Sequence, residues 1–161
     1  MISKDVIETL SNKKLSLAIA ESLTGGMLCS ELVSNPGASK VILGSIVAYQ
    51  SGLKSAALGV NADLLDKVGA VDGEVAVMMA EGVRSRLALQ LLLDTNNVIG
   101  IATTGVAGPD TQDGKPVGLA YIAIVGAKGI QVWEDQFPGD RQAIREAVTE
   151  RAIAHLREYL G

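Results

Sequence analysis

Apolar runs and helical spacing alternate along this chain and predict its secondary structure. Leu15–Ala20 is a continuous apolar run, which is typical of a buried strand. Before it, Val6, Ile7 and Leu10 recur at the spacing of one helical face, with Ser3 as the predicted N-cap. The other predicted helices are Gly25–Ser34, Gly52–Leu58, Ala62–Val68, Gly73–Leu89 and one that follows Asp140, and the other predicted strands are Val41–Gln50, Asn97–Thr104, Gly118–Val125 and Ile130–Phe137.

Polar residues and glycines mark where the predicted elements begin and end. Ser51, Asn61, Asp72 and Asp140 stand before helical patterns and are predicted N-caps. The segment Gly126–Gly129 separates the last two predicted strands and suits a hairpin. Strands alternate with helices early in the chain, and an antiparallel pair comes late. We therefore expect an α/β fold with a mixed sheet covered by helices on both faces.

Composition and charge narrow the class of protein. The chain has 161 residues, 48% apolar and 20% charged, which predicts a single globular domain over residues 1–161. Its net charge of -4, without runs of like charge, argues against a nucleic-acid partner. No signal peptide and no membrane span is evident, so we expect a cytoplasmic protein with no membrane partner. A single cysteine, Cys29, excludes an intrachain disulfide.

Candidate chemistry is concentrated in two loops that follow predicted strands, Glu21–Gly26 and Thr103–Pro109. Ligands bind at this edge of open α/β sheets, and both loops combine hydroxyls with glycines that let backbone N–H groups approach an anion. Ser22 stands at a strand-to-helix turn, beside the unpaired N–H groups of the next helix. It is either part of a phosphate site or a serine nucleophile. The chain has no P-loop sequence and no Gly-x-Ser-x-Gly motif around this serine.

A serine nucleophile needs a base. The single histidine, His155, lies deep in the last predicted helix, where we expect a structural role. A lysine can serve as the base if its surroundings lower its pKa toward neutrality. Lys54 is the candidate, since it lies just beyond the strand that ends near Tyr49. A solvated lysine and a tyrosine that only packs at a strand end are the alternative interpretations.

Arg141 opens the last predicted helix, after Asp140. Its guanidinium can bind a phosphate or a carboxylate, and a salt bridge to Asp140 or Asp135 is the alternative. No cluster of His, Cys, Asp and Glu has the spacing of metal ligands, so no metal is expected. The residues by themselves predict an α/β protein with a polar cleft for a small molecule, and a serine hydrolase without a catalytic histidine is one interpretation of it.

A series of short motifs covers nearly the whole chain. In order they are Ala20–Gly26, Pro36–Ser39, Val47–Tyr49 with Lys54, Leu58–Val60, Gly69–Val71, Thr104–Pro109, Lys115–Gly118 and Phe137–Arg141. Together they resemble the C-terminal domain of the CinA family, in which the first motif is close to Ala-Glu-Ser-Cys-Thr-Gly-Gly. The chain resembles the stand-alone form, without the molybdopterin-binding-like domain that often precedes this one.

The resemblance implies a three-layer α/β/α sandwich with a mixed sheet and a homo-oligomer. Characterised members of the family are nicotinamide mononucleotide (NMN) deamidases, which hydrolyse the carboxamide of NMN to nicotinic acid mononucleotide and ammonia. The same reaction on a small-molecule mononucleotide, without metal or other cofactor, is the implied function here. By motif, the implied catalytic residues are Ser22, Tyr49 and Lys54, and the implied substrate-binding residues are Thr24, Gly25, Gly26, Thr104, Gly105, Val106, Ala107, Gly108 and Arg141.

The resemblance also suggests a mechanism. Lys54, as a neutral amine, would take the proton of Ser22 directly or through Tyr49, and backbone N–H groups in the range 24–26 would stabilise the oxyanion. Two alternatives stay open on the same scaffold. One is a non-catalytic nucleotide- or metabolite-binding protein. The other is a competence or damage-response interaction module, although acidic charge and few aromatic residues weigh against direct DNA binding.

The chain departs from the family pattern at three places. Leu23 replaces the cysteine that follows the serine, a change that we expect packing to tolerate. Ser51 and Gly52 stand where the family usually has Asn-Glu, close to the proposed base. The segment Asp110–Gly114 is bulkier and more acidic than the usual glycine run. An acidic segment would oppose phosphate binding if it faces the site.

Overall fold

A computed structural model describes residues 1–161 and has one mixed sheet of five strands. The strand order is β2-β1-β3-β4-β5. The first three strands run parallel, and β4 is antiparallel to both β3 and β5. The strands are β1 (Ser16–Glu21), β2 (Ile42–Val47), β3 (Val98–Gly105), β4 (Leu119–Gly126) and β5 (Gly129–Gln136). The helices are α1 (Ile2–Asn12), α2 (Met27–Val33), α3 (Ser51–Leu58), α4 (Ala62–Val68), α5 (Gly73–Gln90) and α6 (Arg141–Leu160).

Helices cover both faces of the sheet, because the central strands present apolar side chains on both. On β1, Leu17 and Ile19 pack against α1, α2 and α6, whereas Ala18 and Ala20 pack against α3 and α5. The alanine face lets α5 lie close to the sheet. At Gly100 in β3 the approach is closest, since an added Cβ there would lie 2.1 Å from the carbonyl oxygen of Ala80 in α5.

The structure confirms the predicted fold class, a three-layer α/β/α sandwich with a mixed sheet. The second strand is shorter than predicted, ending at Val47 instead of Gln50. Helix α2 begins at Met27 and not at Gly25, because Gly25 and Gly26 have φ angles of 58° and 101°, outside the helical region. No helix combines the length and the apolar character that crossing a bilayer requires.

Two of the predicted N-caps are wrong and three are confirmed. Ser3 lies inside α1, and its hydroxyl donates to Glu31 on α2 instead of capping its own helix. Ser51 is the first residue of α3, and the N-cap position is Gln50, whose side chain makes no capping hydrogen bond. The other three predicted caps, Asn61, Asp72 and Asp140, each accept a hydrogen bond from the first turn of their helices.

Candidate active site

Ser22 lies in a tight turn between β1 and α2, at the carboxyl edge of the sheet. Its N–H donates to the carbonyl of Thr103 at the end of β3, at 3.0 Å. Its carbonyl accepts from the N–H of Gly25, also at 3.0 Å, which closes the turn. The positive φ angles of Gly25 and Gly26 require glycine, since other residues reach that region only with strain. The side chain of Ser22 is thereby held at the sheet edge with 7% of its surface exposed.

The Glu21 carboxylate holds the other end of this turn. Glu21 is fully buried, and its oxygens accept the N–H groups of Gly26, Leu28 and Cys29 at 2.9 to 3.1 Å. A fourth hydrogen bond comes from the hydroxyl of Ser45 on β2. A negative charge at a helix N-terminus is favourable, which explains how this buried carboxylate is accommodated. Sequence reasoning missed Glu21; the available signal was an acidic residue directly after the apolar run of β1.

Lys54 reaches Ser22 from the first turn of α3. Its amine nitrogen lies 2.9 Å from the Ser22 hydroxyl oxygen and 2.8 Å from the carbonyl oxygen of Ala48. The carbonyl oxygen of Tyr49 is at 3.5 Å, the outer limit for a hydrogen bond. Lys54 is 1% exposed and forms no ion pair with any carboxylate. The structure therefore brings together the predicted serine and the predicted lysine.

Burial changes the acid–base behaviour of this lysine. Loss of hydration disfavours the charged ammonium, and it lowers the pKa of Lys54 from 10.5 to about 8. A neutral amine has two N–H donors and one lone pair. The donors match the carbonyls of Ala48 and Tyr49, and the lone pair is then free to accept the Ser22 hydroxyl proton. The arrangement suits a lysine that acts as a general base.

A cavity of about 540 Å³ opens beside Ser22. This volume suits a small-molecule ligand. The walls come from the turn after β1, the start of α3, the segment before α5, the loop after β3 and the start of α6. The lining residues are Ser22, Leu23, Tyr49, Gln50, Ser51, Gly52, Ala70, Val71, Thr104, Gly105, Val106, Ala107, Gly108, Asp110, Thr111, Gln112 and Arg141.

Tyr49 and Arg141 lie together on the cavity wall. One Arg141 nitrogen donates to the carbonyl of Gly108 at 2.6 Å, and another donates to the hydroxyl of Tyr49. The Tyr49 hydroxyl makes no hydrogen bond with Ser22 or Lys54, so the expected proton relay through this side chain is absent. The alternative interpretation of Arg141, a salt bridge to Asp140 or Asp135, is not found.

The expected role of residues 24–26 requires correction. Thr24, Gly25 and Gly26 do not line the cavity. Two of their three N–H groups are used inside the turn, that of Gly25 by Ser22 and that of Gly26 by Glu21. The Thr24 hydroxyl bonds to that of Thr103 at 2.8 Å, and the Thr24 N–H has no acceptor within the protein. Leu23 lines the cavity instead, and its N–H donates to no acceptor within the protein.

The end of β3 and the loop after it line the cavity, with residues 104–108 all on the wall, and substrate binding by these residues stays a prediction. The Thr104 hydroxyl donates to the carbonyl of Ala70 at 2.7 Å and so fixes the segment before α5. The N–H groups of Ala107 and Gly108 have no acceptor within the protein. Asp110, the one carboxylate of the acidic segment that lines the cavity, also faces this space.

His155, the one histidine, lies outside the cavity, as expected. Its ring stacks on Trp133 with centroids 4.0 Å apart, and its Nε2 atom lies 3.6 Å from Asp135. A Ser-His-Asp triad with Ser22 is therefore not formed.

Arg145 is a second residue that sequence reasoning missed. It lies one helical turn after Arg141 on α6, on the side that faces the turn after β1. Its Nε donates to the carbonyl of Leu23 at 2.8 Å, and its Nη2 donates to the carbonyl of Thr24 at 3.2 Å. The available signal was the spacing of four residues from Arg141, which places both guanidinium groups on one helix face.

Comparison with known proteins gives the family to which this chain belongs. Residues 1–160 match the CinA C-terminal domain, and the chain belongs to the CinA family. A protein of Desulforamulus reducens, described as competence-damage inducible, is 42% identical over 159 residues, which cover 99% of this chain. A CinA-like protein of Frankia casuarinae is 42% identical over 156 residues. The chain spans only about a third of these relatives, 37% and 34% of their lengths.

The solved structures agree with this assignment. The competence/damage inducible protein CihA from Agrobacterium tumefaciens superposes with a TM-score of 0.88 at 30% sequence identity. The match covers 99% of this chain and 93% of that one. The CinA-type α/β/α fold is thus common to this chain and to its structural relatives.

Proposed function

We propose that this protein is an amidohydrolase that converts NMN to nicotinic acid mononucleotide and ammonia through an acyl-enzyme on Ser22. One observation carries the proposal: a fully buried lysine without an acidic partner lies 2.9 Å from a serine hydroxyl on the wall of a polar cavity. A positioned base and an alcohol within hydrogen-bond reach are the two parts that serine acylation requires. Membership of the CinA family supports NMN as the substrate.

The reaction begins with attack of Ser22 Oγ on the carboxamide carbon, while the neutral Lys54 amine accepts the hydroxyl proton directly. The C–N bond of the tetrahedral intermediate then breaks, and the Lys54 ammonium returns the proton to the departing nitrogen, which leaves as ammonia. A water molecule, deprotonated by the same amine, attacks the acyl-enzyme carbonyl. When the second tetrahedral intermediate collapses, its bond to Ser22 Oγ breaks, and the Lys54 ammonium gives the proton taken from water to Oγ. Nicotinic acid mononucleotide is released, and the Ser22 hydroxyl and the neutral amine are restored.

The oxyanion of each tetrahedral intermediate needs a hydrogen-bond donor beside Ser22. The N–H of Leu23 fits this role because Leu23 follows the nucleophile directly and lines the cavity, and because this N–H has no acceptor within the protein. Removing one such donor typically slows an enzyme by about 10²- to 10³-fold. This assignment replaces the N–H groups in the range 24–26, of which Gly25 and Gly26 are occupied.

The rest of the mononucleotide lies toward the loop after β3. The unpartnered N–H groups of Ala107 and Gly108, together with the Arg141 guanidinium, offer donors for the ribose phosphate. Asp110 on the same wall opposes the phosphate but favours the cationic pyridinium ring. A non-catalytic binding protein would use the same wall without needing the contact between Lys54 and Ser22.

Ammonia release from NMN by the purified protein tests the proposal. Ser22→Ala should abolish release while the circular dichroism spectrum stays unchanged, since it removes one hydroxyl at the sheet edge. Ser85→Ala is the matched control, because Ser85 is exposed on α5 and bonds only to Glu81. Wild-type protein that binds NMN without ammonia release, or Ser22→Ala protein with substantial activity, would contradict the proposal.

A further inference from the structure

Arg145 contacts the turn after β1, which carries Ser22, from outside the cavity. It is half-buried, and it does not line the cavity or contact the Ser22 hydroxyl. Two of its three hydrogen bonds go to consecutive backbone carbonyls, those of Leu23 and Thr24. A Cβ added at Gly25 would lie 3.2 Å from Nη2, so the guanidinium is packed directly on the turn. A guanidinium that holds two main-chain carbonyls fixes the peptide planes that carry them.

The hydrogen bonds continue from Arg145 toward the cavity through two peptide groups. Arg145 donates to the carbonyl of Thr24, and the N–H of that same peptide, on Gly25, donates to the carbonyl of Ser22. The N–H on the Ser22 peptide belongs to Leu23, which lines the cavity. Both peptides are trans, so each holds its carbonyl and its N–H in opposite directions. The Leu23 N–H is therefore the free end of a chain that begins at the guanidinium.

We propose that Arg145 is a positioning residue that orients and polarises the Leu23 N–H as the oxyanion donor for Ser22. Each peptide in a hydrogen-bonded chain becomes a better donor when its carbonyl accepts a bond, and a cationic donor at the start strengthens the effect. The second bond, to the carbonyl of Leu23, keeps the following peptide from rotating. The inference rests on the proposed function only in its use of Ser22 as a nucleophile.

Phosphonylation of Ser22 by an alkyl fluorophosphonate tests this role without any amide substrate. Ser22 Oγ forms the O–P bond, fluoride leaves, the hydroxyl proton passes to Lys54, and the phosphoryl oxygen occupies the oxyanion position. Intact-mass spectrometry gives the labelling rate. Arg145→Ala should lower that rate by about 10- to 100-fold, less than the loss of about 10²- to 10³-fold that follows removal of a donor, because the Leu23 N–H is misplaced and not removed. Arg145→Lys should fall in between, because an ammonium cannot hold both carbonyls in one plane.

Matched controls separate positioning from damage to the fold. Gln142→Ala removes only the exposed contact between Gln142 and Arg145, at 3.2 Å, and should label at the wild-type rate. Added guanidinium, well below denaturing concentrations, should restore part of the rate in Arg145→Ala but not in Ser22→Ala. The pH midpoint of labelling, which reports Lys54, should be the same in wild type and variants. If Arg145→Ala fails to fold, the test uses the labelling rate of Arg145→Lys, whose pH midpoint of labelling should equal that of wild type.

Two results overturn the proposal. The first is a wild-type labelling rate in a folded Arg145→Ala or Arg145→Lys protein. The second is a slow variant that added guanidinium does not rescue and in which the pH midpoint of labelling has moved. Neither depends on the natural substrate. Wild-type protein that labels at Ser22 but releases no ammonia from NMN would contradict the proposed function and leave the role of Arg145 intact. With NMN as substrate, Arg145→Ala should lower kcat and leave KM nearly unchanged, since the oxyanion exists only after attack.

Discussion

At the scale of single residues, Lys54 carries an electrostatic cost that follows from its position. Burial lowers its pKa from 10.5 to about 8, so below pH 8 the folded protein holds a desolvated ammonium. Between about pH 8 and pH 10.5 the unfolded chain still binds this proton while the folded protein has lost it. The free energy of unfolding therefore rises with pH over that interval. The shift corresponds to about 3 kcal/mol of destabilisation at neutral pH.

Replacing Lys54 should separate stability from activity. Lys54→Met removes the buried charge but leaves the carbonyl of Ala48 without its donor, a loss that offsets part of the gain. The net expectation is a rise of about 1–2 kcal/mol in the free energy of unfolding at pH 7, together with loss of ammonia release. Denaturant titrations at pH 7 and near pH 10 measure the difference, which should shrink as the pH rises.

The matched variant is Lys128→Met, because the Lys128 amine also donates to two backbone carbonyls, at 3.1 Å each, far from the cavity. It should not gain stability, and it should keep its activity. A Lys54→Met protein that is less stable than wild type by the same amount at both pH values would contradict the assigned cost of burial.

The sequence identified some site residues and missed others for a physical reason. Ser22 and Lys54 follow strand ends and belong to recognisable motifs, so their meeting at one sheet edge could be anticipated. Arg145 acts on a turn 122 positions away in the chain. No local pattern indicates which carbonyls a helix arginine will reach. The same limit applies to the Tyr49 hydroxyl, whose partner, Arg141, is 92 positions away.

At the scale of elements, the contact between α3 and α5 sets the position of Lys54. Gly82 in α5 lies against the end of α3, and an added Cβ would be 1.8 Å from the carbonyl oxygen of Leu58. That carbonyl belongs to backbone, which cannot rotate away as a side chain can. Glycine at this position therefore lets the helix that carries Lys54 lie close to α5.

Gly82→Ala should push α3 away from α5 and lengthen the distance from the Lys54 amine to the Ser22 hydroxyl. We expect a loss of about 1–3 kcal/mol in the free energy of unfolding, the usual range for overpacking. Ammonia release should fall as well, although Gly82 is not in the cavity lining. Chemical denaturation and initial rates measure the two effects.

Gly52→Ala is the control for helix glycines, since no atom lies within 4 Å of its added Cβ. Its stability should not fall, because alanine favours the helix and meets no obstacle. A Gly82→Ala protein with wild-type stability and wild-type turnover would show that α3 does not depend on this close approach.

The helix ends show which local signals suffice for prediction. Asn61 precedes an exposed first turn, and Asp72 bonds to the N–H of Glu74, so both side chains reach free N–H groups without competition. Ser3 looks equivalent in the sequence but is buried, and its hydroxyl donates a hydrogen bond to Glu31 on α2 instead of capping α1. A capping residue is predictable where solvent is the only competitor, and unreliable where another element offers a partner.

At the scale of the whole molecule, alternation of strands and helices was enough to predict the α/β class and the late antiparallel pair. The strand order was not predictable from pattern, because it depends on which apolar faces meet. Placing β1 between β2 and β3 has a functional consequence: the turn after β1 becomes central to the carboxyl edge. Lys54 of α3 thus reaches Ser22 from one face of the sheet, and Arg145 of α6 reaches the carbonyl of the next residue, Leu23, from the other.

The central claim is that an uncharged Lys54 amine activates Ser22. The pH dependence of kcat/KM for ammonia release from NMN tests it most directly. The account predicts that kcat/KM rises with pH through a single midpoint near pH 8 and levels off at higher pH. Lys54→Met should show no activity at any pH. A wild-type rate that does not change across that range, or a Lys54→Met protein that keeps the wild-type profile, would contradict it.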